Sequence, residues 1–345
     1  MQVTCGMAPA AAQQELAAGG VRVRDWRRRS SQCIFDRMPS SAPTVSPTAS
    51  PAMSPAKAWL LALRPKTLPA AAAPVAVGAA LGAFRDSFLA GPVLGALLGA
   101  LLIQIATNLA NDYFDFRRGA DAERVGPTRV TQSGLISPEA VMRGTLLALV
   151  GALLVGVYLV WVGGMPIMVI GLVSLVCAIA YTGGPFPLAY HGLGDLFVFV
   201  FFGLVAVGGT VYLQLGAFPA EAWLAGAGVG FLSTAILVVN NLRDRPTDAA
   251  VGKRTMAVRL GDGGSRVEYI LMLVGAGAVP LVGMALYDWP SLTLAALLGI
   301  GLALRPLKMV MAFRERAELI PALPATAAAL IVYSVGLALG LVLGG

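Results

Sequence analysis

The chain has 345 residues, of which 57% are hydrophobic and only 12% are charged. Soluble domains carry about 25% charge, so this composition excludes an ordinary globular protein and describes one that crosses a membrane repeatedly. The net charge of +7 sits at one end: Arg22, Arg24, Arg27, Arg28, Arg29, Arg37, Lys57, Arg64 and Lys66 outnumber Glu15, Asp25 and Asp36 in residues 1–66, and the rest is nearly neutral, which argues against a nucleic-acid partner.

Residues 1–56 differ in composition from the remainder of the chain. "MPSSAPTVSPTASPAMSPA" is rich in Pro, Ser and Ala and reads as a disordered extension. "VRVRDWRRRSS" has the Arg and Ser of a transit peptide, but nearby acids and the lack of an apolar core exclude a secretory signal. The reading favoured over an organellar address is an upstream start, with Met53 or Met38 beginning the natural protein. Residues 57–345 then form one transmembrane domain.

Nine apolar runs come next, near 67–84, 91–113, 139–162, 165–182, 194–215, 220–242, 267–287, 289–304 and 322–343. Each approaches the roughly 20 residues that a membrane-spanning helix needs. Their Gly and Ala content allows close helix packing. Ser137-Pro138-Glu139 is a good start for the third: a capping Ser, Pro at the first position and an acid in the first turn. The fold class is an all-α integral membrane protein of about nine helices in one bundle.

Lys and Arg in the loops set the orientation. Arg117, Arg118, Arg124, Arg129 and Arg143 follow the second run; Arg243, Arg245, Lys253, Arg254, Arg259 and Arg266 follow the sixth; Arg305, Lys308, Arg314 and Arg316 follow the eighth. The opposite loops carry Arg85 alone. The N-terminus is therefore expected in the cytoplasm and the C-terminus outside.

Two polar clusters interrupt this apolar pattern. Asn108, Asn111, Asp112 and Asp115 are spaced i, i+3, i+4 and i+7, one face of a helix, with Asp121 just beyond Gly119. Asn240, Asp244 and Asp248, spaced i, i+4 and i+8, repeat the arrangement at the end of the sixth run. The second and sixth helices thus read as equivalents in a weak internal repeat. Five Asp repel one another without a counter-charge. Mg²⁺ supplies it, since it prefers oxygen and binds one or two carboxylates together with substrate phosphates. His191 is the only histidine, and Cys5, Cys33 and Cys177 have no paired spacing, which argues against a softer metal or a disulfide framework. Arg117, Arg118, Lys253 and Arg254 lie among the acids and can hold phosphate oxygens. Acids, metal and bases together describe a diphosphate site at a membrane surface, open to a lipidic substrate. A single Asp at a helix end is commonly just solvated, and loop Arg and Lys are expected from topology alone. The weight rests on the two clusters on one side.

At these residues the sequence resembles the UbiA superfamily of intramembrane aromatic prenyltransferases. Its two motifs read here as Asn111-Asp112-x-x-Asp115 and Asp244-x-x-x-Asp248. Gly119 stands where the family often has a further Asp, and Asp121 comes two residues later. That departure is typical of the branch that acts on 1,4-dihydroxy-2-naphthoate in menaquinone synthesis. "RPKTLPAAAAPV", "NDYFDFRRGAD", "RVTQSGLISP", "YTGGPFPLAYHGLGDLFVFVFFG" and "NNLRDRPTDAAVGKRTMAVRLG" also resemble that branch, over about residues 57–345.

The resemblance implies transfer of a polyprenyl group from its diphosphate to the naphthoate, with loss of CO₂. It implies that Asp112, Asp115, Asp244 and Asp248, with Asp121 least securely, organise Mg²⁺. Asn108, Asn111 and Asn240 would orient the diphosphate, and Lys253, Arg254 and Arg118 would hold its oxygens. Arg64 and Lys66 are candidates for the naphthoate carboxylate, with a topology anchor as the plain alternative. Tyr181 is a candidate for the aromatic pocket, and Asp195, where the branch often has Glu, for a naphthol hydroxyl. Two rival readings remain: another aromatic acceptor such as 4-hydroxybenzoate or homogentisate, and a divalent-cation transporter, which predicts acids strung across the membrane.

Overall fold

Helix starts and stops follow local chemistry. The computed structural model describes residues 53–119 and 129–344; the extension before Met53, with Cys5 and Cys33, and Asp121 lie outside these residues. Helix α1 (Pro55–Leu63) has Pro at its first position and the Ser54 hydroxyl accepting from the Lys57 amide. It ends at Arg64, which is left-handed at φ 51°, and a short 3₁₀ turn (Pro65–Thr67) leads into α2 (Leu68–Phe84). Helix α3 spans Ala90–Arg117, and α4 spans Pro138–Ala180, its Ser137 side chain capping the Ala140 amide as the sequence predicts.

A 43-residue α4 is about twice the length that crosses a bilayer. It is interrupted at Gly164, with φ 67° and ψ −152°. Leu146 and Ile179 would stand about 50 Å apart on a straight helix, yet both line one cavity of about 590 Å³. The two arms of α4 therefore lie side by side and the chain reverses at Gly164, between the third and fourth apolar runs of the sequence.

Helix α5 (Gly194–Leu215) contains a π-helical segment, Phe199–Val205. Helices α6 (Ala220–Ala250) and α7 (Met256–Tyr287) come next, then a 3₁₀ turn (Ser291–Ala296), α8 (Leu297–Ala312) and α9 (Ala322–Gly344). Among the described residues, eight helical stretches are long and apolar enough to cross a membrane. Apolar side chains such as Trp161, Leu147 and Leu298 point outward, as a lipid-facing surface requires. Inside, a Cβ on Gly203 would fall 2.5 Å from the Gly226 carbonyl oxygen, so α5 and α6 touch backbone to backbone.

Helices α3 and α6 run in the same direction. At their starts Arg85 forms a two-pronged ion pair with buried Glu221 (2.7 and 2.9 Å), and the Trp289 indole donates to the same carboxylate at 2.9 Å. This fastening explains the lone Arg in the opposite loops. From there, at 1.5 Å per residue, Asp112 stands about 33 Å along α3 and Asp244 about 36 Å along α6. A hydrocarbon core is about 30 Å thick, so both carboxylates emerge at the same interface.

Gly164 occupies a backbone region that only glycine adopts readily. Gly164→Val is expected to destabilise the detergent-solubilised protein by about 1–3 kcal/mol, measured by denaturant unfolding. An unchanged midpoint contradicts the reversal at this residue.

Candidate active site

The two carboxylate clusters meet at one end of the bundle. On α3, Asp112 and Asp115 are buried. Asp112 Oδ2 accepts from both the amide and the hydroxyl of Thr131. Asp115 Oδ2 pairs with Arg129 at 3.3 Å, and its Oδ1 accepts from the Tyr190 hydroxyl at 3.0 Å. On α6, Arg243 grips Asp244 with two bonds of 2.7 and 2.8 Å and also donates to Asn240. Lys253 pairs with Asp248 at 3.3 Å. The Lys253 ammonium lies 5.4 Å from the centre of the Tyr190 ring, so contacts run from Asp115 through Tyr190 and Lys253 to Asp248.

Other predicted residues join the first cluster. Asn108 donates to the Leu63 carbonyl and the Thr67 hydroxyl, which brings the α1–α2 link, with half-buried Arg64, against α3. Asn111 accepts from Thr182 at 2.6 Å. Arg118 donates to the Thr182 and Gly184 carbonyls and stacks 4.8 Å from the Tyr190 ring centre.

Some predicted residues stand apart. Lys66 is exposed, and among the described residues no hydrogen bond or ion pair ties it to either cluster. The Arg254 side chain is exposed, and its backbone amide, not its guanidinium, reaches the site by donating to the Tyr190 carbonyl at 3.0 Å. Asp195 is buried in the first turn of α5 with neither carboxylate oxygen hydrogen-bonded, and it is absent from the cavity wall. Tyr181 stands on that wall instead.

Asn108 and Asn111 also line a cavity of about 600 Å³. Asn108, Asn111, Thr107, Gln104, Ser174, Tyr181 and Thr210 supply its polar lining; Val75, Ile103, Leu159, Phe197 and Phe201 are among its apolar walls. Cys177 is another wall residue, consistent with packing. Along α3 the wall runs from Asn111 to Ala96, about 22 Å. Such a shape takes a long apolar tail with a polar head at one end.

The donor set suits a hard cation. Asp248 Oδ2 is buried with no hydrogen-bond partner. Among the described residues, no three His, Cys, Asp or Glu side chains converge into a complete metal cage. The unpartnered Asp248 oxygen, joined to Asp115 through Lys253 and Tyr190, fits Mg²⁺, which takes one or two carboxylates and fills its remaining positions with water and phosphate oxygens.

The UbiA prenyltransferase family pattern matches residues 71–325. The chain belongs to that family. It is 40% identical, over 70% of its length and 81% of the relative's, to 1,4-dihydroxy-2-naphthoate octaprenyltransferase of Mycobacterium tuberculosis. It is 39% identical to the Escherichia coli protein of the same name, over 55% of this chain and 63% of that one. The fold is that of a UbiA homolog from Aeropyrum pernix, with a TM-score of 0.64 at 17% identity, covering 78% of this chain and 96% of that chain. A UbiA homolog from Archaeoglobus fulgidus, solved bound to GPP and Mg²⁺, gives 0.59 at 16% identity, covering 81% and 99%.

Tyr190, Arg129, Thr131, Thr182 and Arg243 escaped residue-level assignment from the sequence. All but Arg243 lie in loop segments whose resemblance to the family was visible as strings, without spacing to show which side chain reaches inward.

Arg243 and Asp244 are both buried, and removing one partner of such a pair typically costs about 3–5 kcal/mol. Arg243→Met is expected to lose stability on that scale in thermal or denaturant unfolding. A variant as stable as the parent contradicts the role of Arg243 as the counter-charge of Asp244.

Proposed function

We propose that the chain transfers a polyprenyl group from a polyprenyl diphosphate to 1,4-dihydroxy-2-naphthoate, releasing CO₂ and diphosphate and giving demethylmenaquinone after oxidation. The observation that carries this reading is the meeting of the Asp115 and Asp248 clusters close to Asn108 and Asn111, which line a mostly apolar cavity. The naphthoate relatives support the acceptor. We infer nine crossings, the chain reversing at Gly164, with the N-terminus and the carboxylates on the cytoplasmic side of the cell membrane, as the loop Arg and Lys favour. Residues 57–345 carry the activity.

In this reading Asp112, Asp115, Asp244 and Asp248 would hold Mg²⁺, with Asp121, two residues past the family's usual position, as the least secure member of the set. The ion would neutralise charge on the leaving diphosphate. Lys253 and Arg118, both against the Tyr190 ring, would meet diphosphate oxygens. Asn108 and Asn111, on the cavity wall next to the carboxylates of α3, orient the head group. The apolar walls hold the tail and exclude water, so the allylic carbon meets the ring carbon of the acceptor and not a hydroxide. Tyr181 places a neutral phenol and its ring at that wall. Arg64, near Asn108, is the candidate for the naphthoate carboxylate. The carboxylates lie together at one end, unlike the membrane-crossing line that ion transport needs.

The purified chain, with or without residues 1–52, is expected to prenylate dihydroxynaphthoate when Mg²⁺ is present and not when it is omitted. Asp115→Asn and Asp248→Asn are each expected to lower turnover by about 100-fold or more with the fold intact. Prenylation of 4-hydroxybenzoate in preference to dihydroxynaphthoate would overturn the acceptor. Near-normal turnover in both variants would remove the metal site.

A further inference from the structure

Tyr190 belongs to both halves of the site at once. It lies in a 3₁₀ turn, Leu188–His191, between α4 and α5. The backbone of that turn is tied to the α6–α7 side: the Arg254 amide donates to the Tyr190 carbonyl at 3.0 Å, and Arg259 donates to the His191 carbonyl at 2.8 Å. Gly192 closes the turn at φ 72°, and a Cβ there would fall 2.5 Å from the Arg259 Nε. The side chain points the other way. Its hydroxyl donates to Asp115 on α3 at 3.0 Å. Its ring carries two cations, Arg118 from the end of α3 at 4.8 Å and Lys253 from beyond the end of α6 at 5.4 Å.

These contacts separate into two jobs. The hydroxyl takes Asp115 Oδ1 while Arg129 takes Oδ2, which fixes the plane of the carboxylate. Donors to a ligating carboxylate set its orientation, and losing one typically costs 10–100-fold in metal affinity. The ring attracts both cations through its quadrupole and holds them near the carboxylates.

We propose that Tyr190 is a positioning residue that couples the two carboxylate clusters, its hydroxyl orienting Asp115 toward Mg²⁺ and its ring holding Arg118 and Lys253 for the diphosphate. The inference rests on the diphosphate site described under the proposed function. Tyr190 touches no reacting atom; it acts through Asp115, Arg118 and Lys253. Tyr190→Phe removes the hydroxyl and keeps the ring, whereas Tyr190→Leu removes both.

The test uses the full chain in detergent and reads binding, not turnover. Thermal unfolding is followed while Mg²⁺ is titrated at fixed inorganic diphosphate, and then diphosphate at saturating Mg²⁺. Tyr190→Phe is expected to need about 10-fold more Mg²⁺ for the half-maximal shift and to bind diphosphate normally once Mg²⁺ saturates. Tyr190→Leu is expected to weaken diphosphate as well, on the order of tenfold. In turnover, the Phe variant recovers its kcat at high Mg²⁺, while the Leu variant keeps a raised KM for the prenyl diphosphate. A Phe variant whose Mg²⁺ titration matches the parent overturns the inference alone. A parent chain that Mg²⁺ and diphosphate do not stabilise overturns the proposed function and this inference with it.

Discussion

Four carboxylates sit buried at the ends of two apolar helices, and each requires a counter-charge or a donor to exist there. A charge taken out of water without such a partner costs several kcal/mol even after relaxation. Asp112 is answered by Thr131, Asp115 by Arg129 and Tyr190, Asp244 by Arg243, and Asp248 by Lys253. Most of these partners come from the segments that extend or join the helices, so the requirement draws three loops over one end of the bundle. Asp248 Oδ2 is left without a partner. The cluster is therefore held together and still has capacity for a further cation.

The remaining architecture serves that meeting. Helices α3 and α6 begin together at the Arg85–Glu221–Trp289 fastening and end together at the carboxylates. Glycine contacts such as Gly203 on Gly226 bring α5 against α6. The space left between the helices is mostly apolar, and Asn108, Asn111 and Tyr181 are among its few polar walls. A diphosphate head with a hydrocarbon tail has the same division.

Much of this was legible in the sequence where the signal is local. The i, i+3, i+4 and i+7 spacing put Asn108, Asn111, Asp112 and Asp115 on one helical face, and their contacts converge on the site. The break between the third and fourth apolar runs falls at Gly164, where the backbone needs glycine. Ser54-Pro55 carries the same start signature as Ser137-Pro138, and a helix begins there ahead of the first apolar run. What escaped depends on tertiary placement. Arg254 is basic and adjacent to Lys253, yet its side chain is exposed and only its amide engages. Asp195 is buried off the cavity wall with no hydrogen bond to either carboxylate oxygen. Tyr190 reaches Asp115 because its loop is pinned to α7 by backbone carbonyls, which carry no side-chain pattern.

The central claim is that the two clusters form one site, bridged by Mg²⁺ and a diphosphate. A double-mutant cycle between Asp115→Asn and Asp248→Asn, read as Mg²⁺-dependent binding of inorganic diphosphate to the full chain, tests it most directly. Groups acting as a unit give strongly non-additive losses. The double variant should bind little worse than either single one. Losses that simply add would mean two independent sites and would contradict the account.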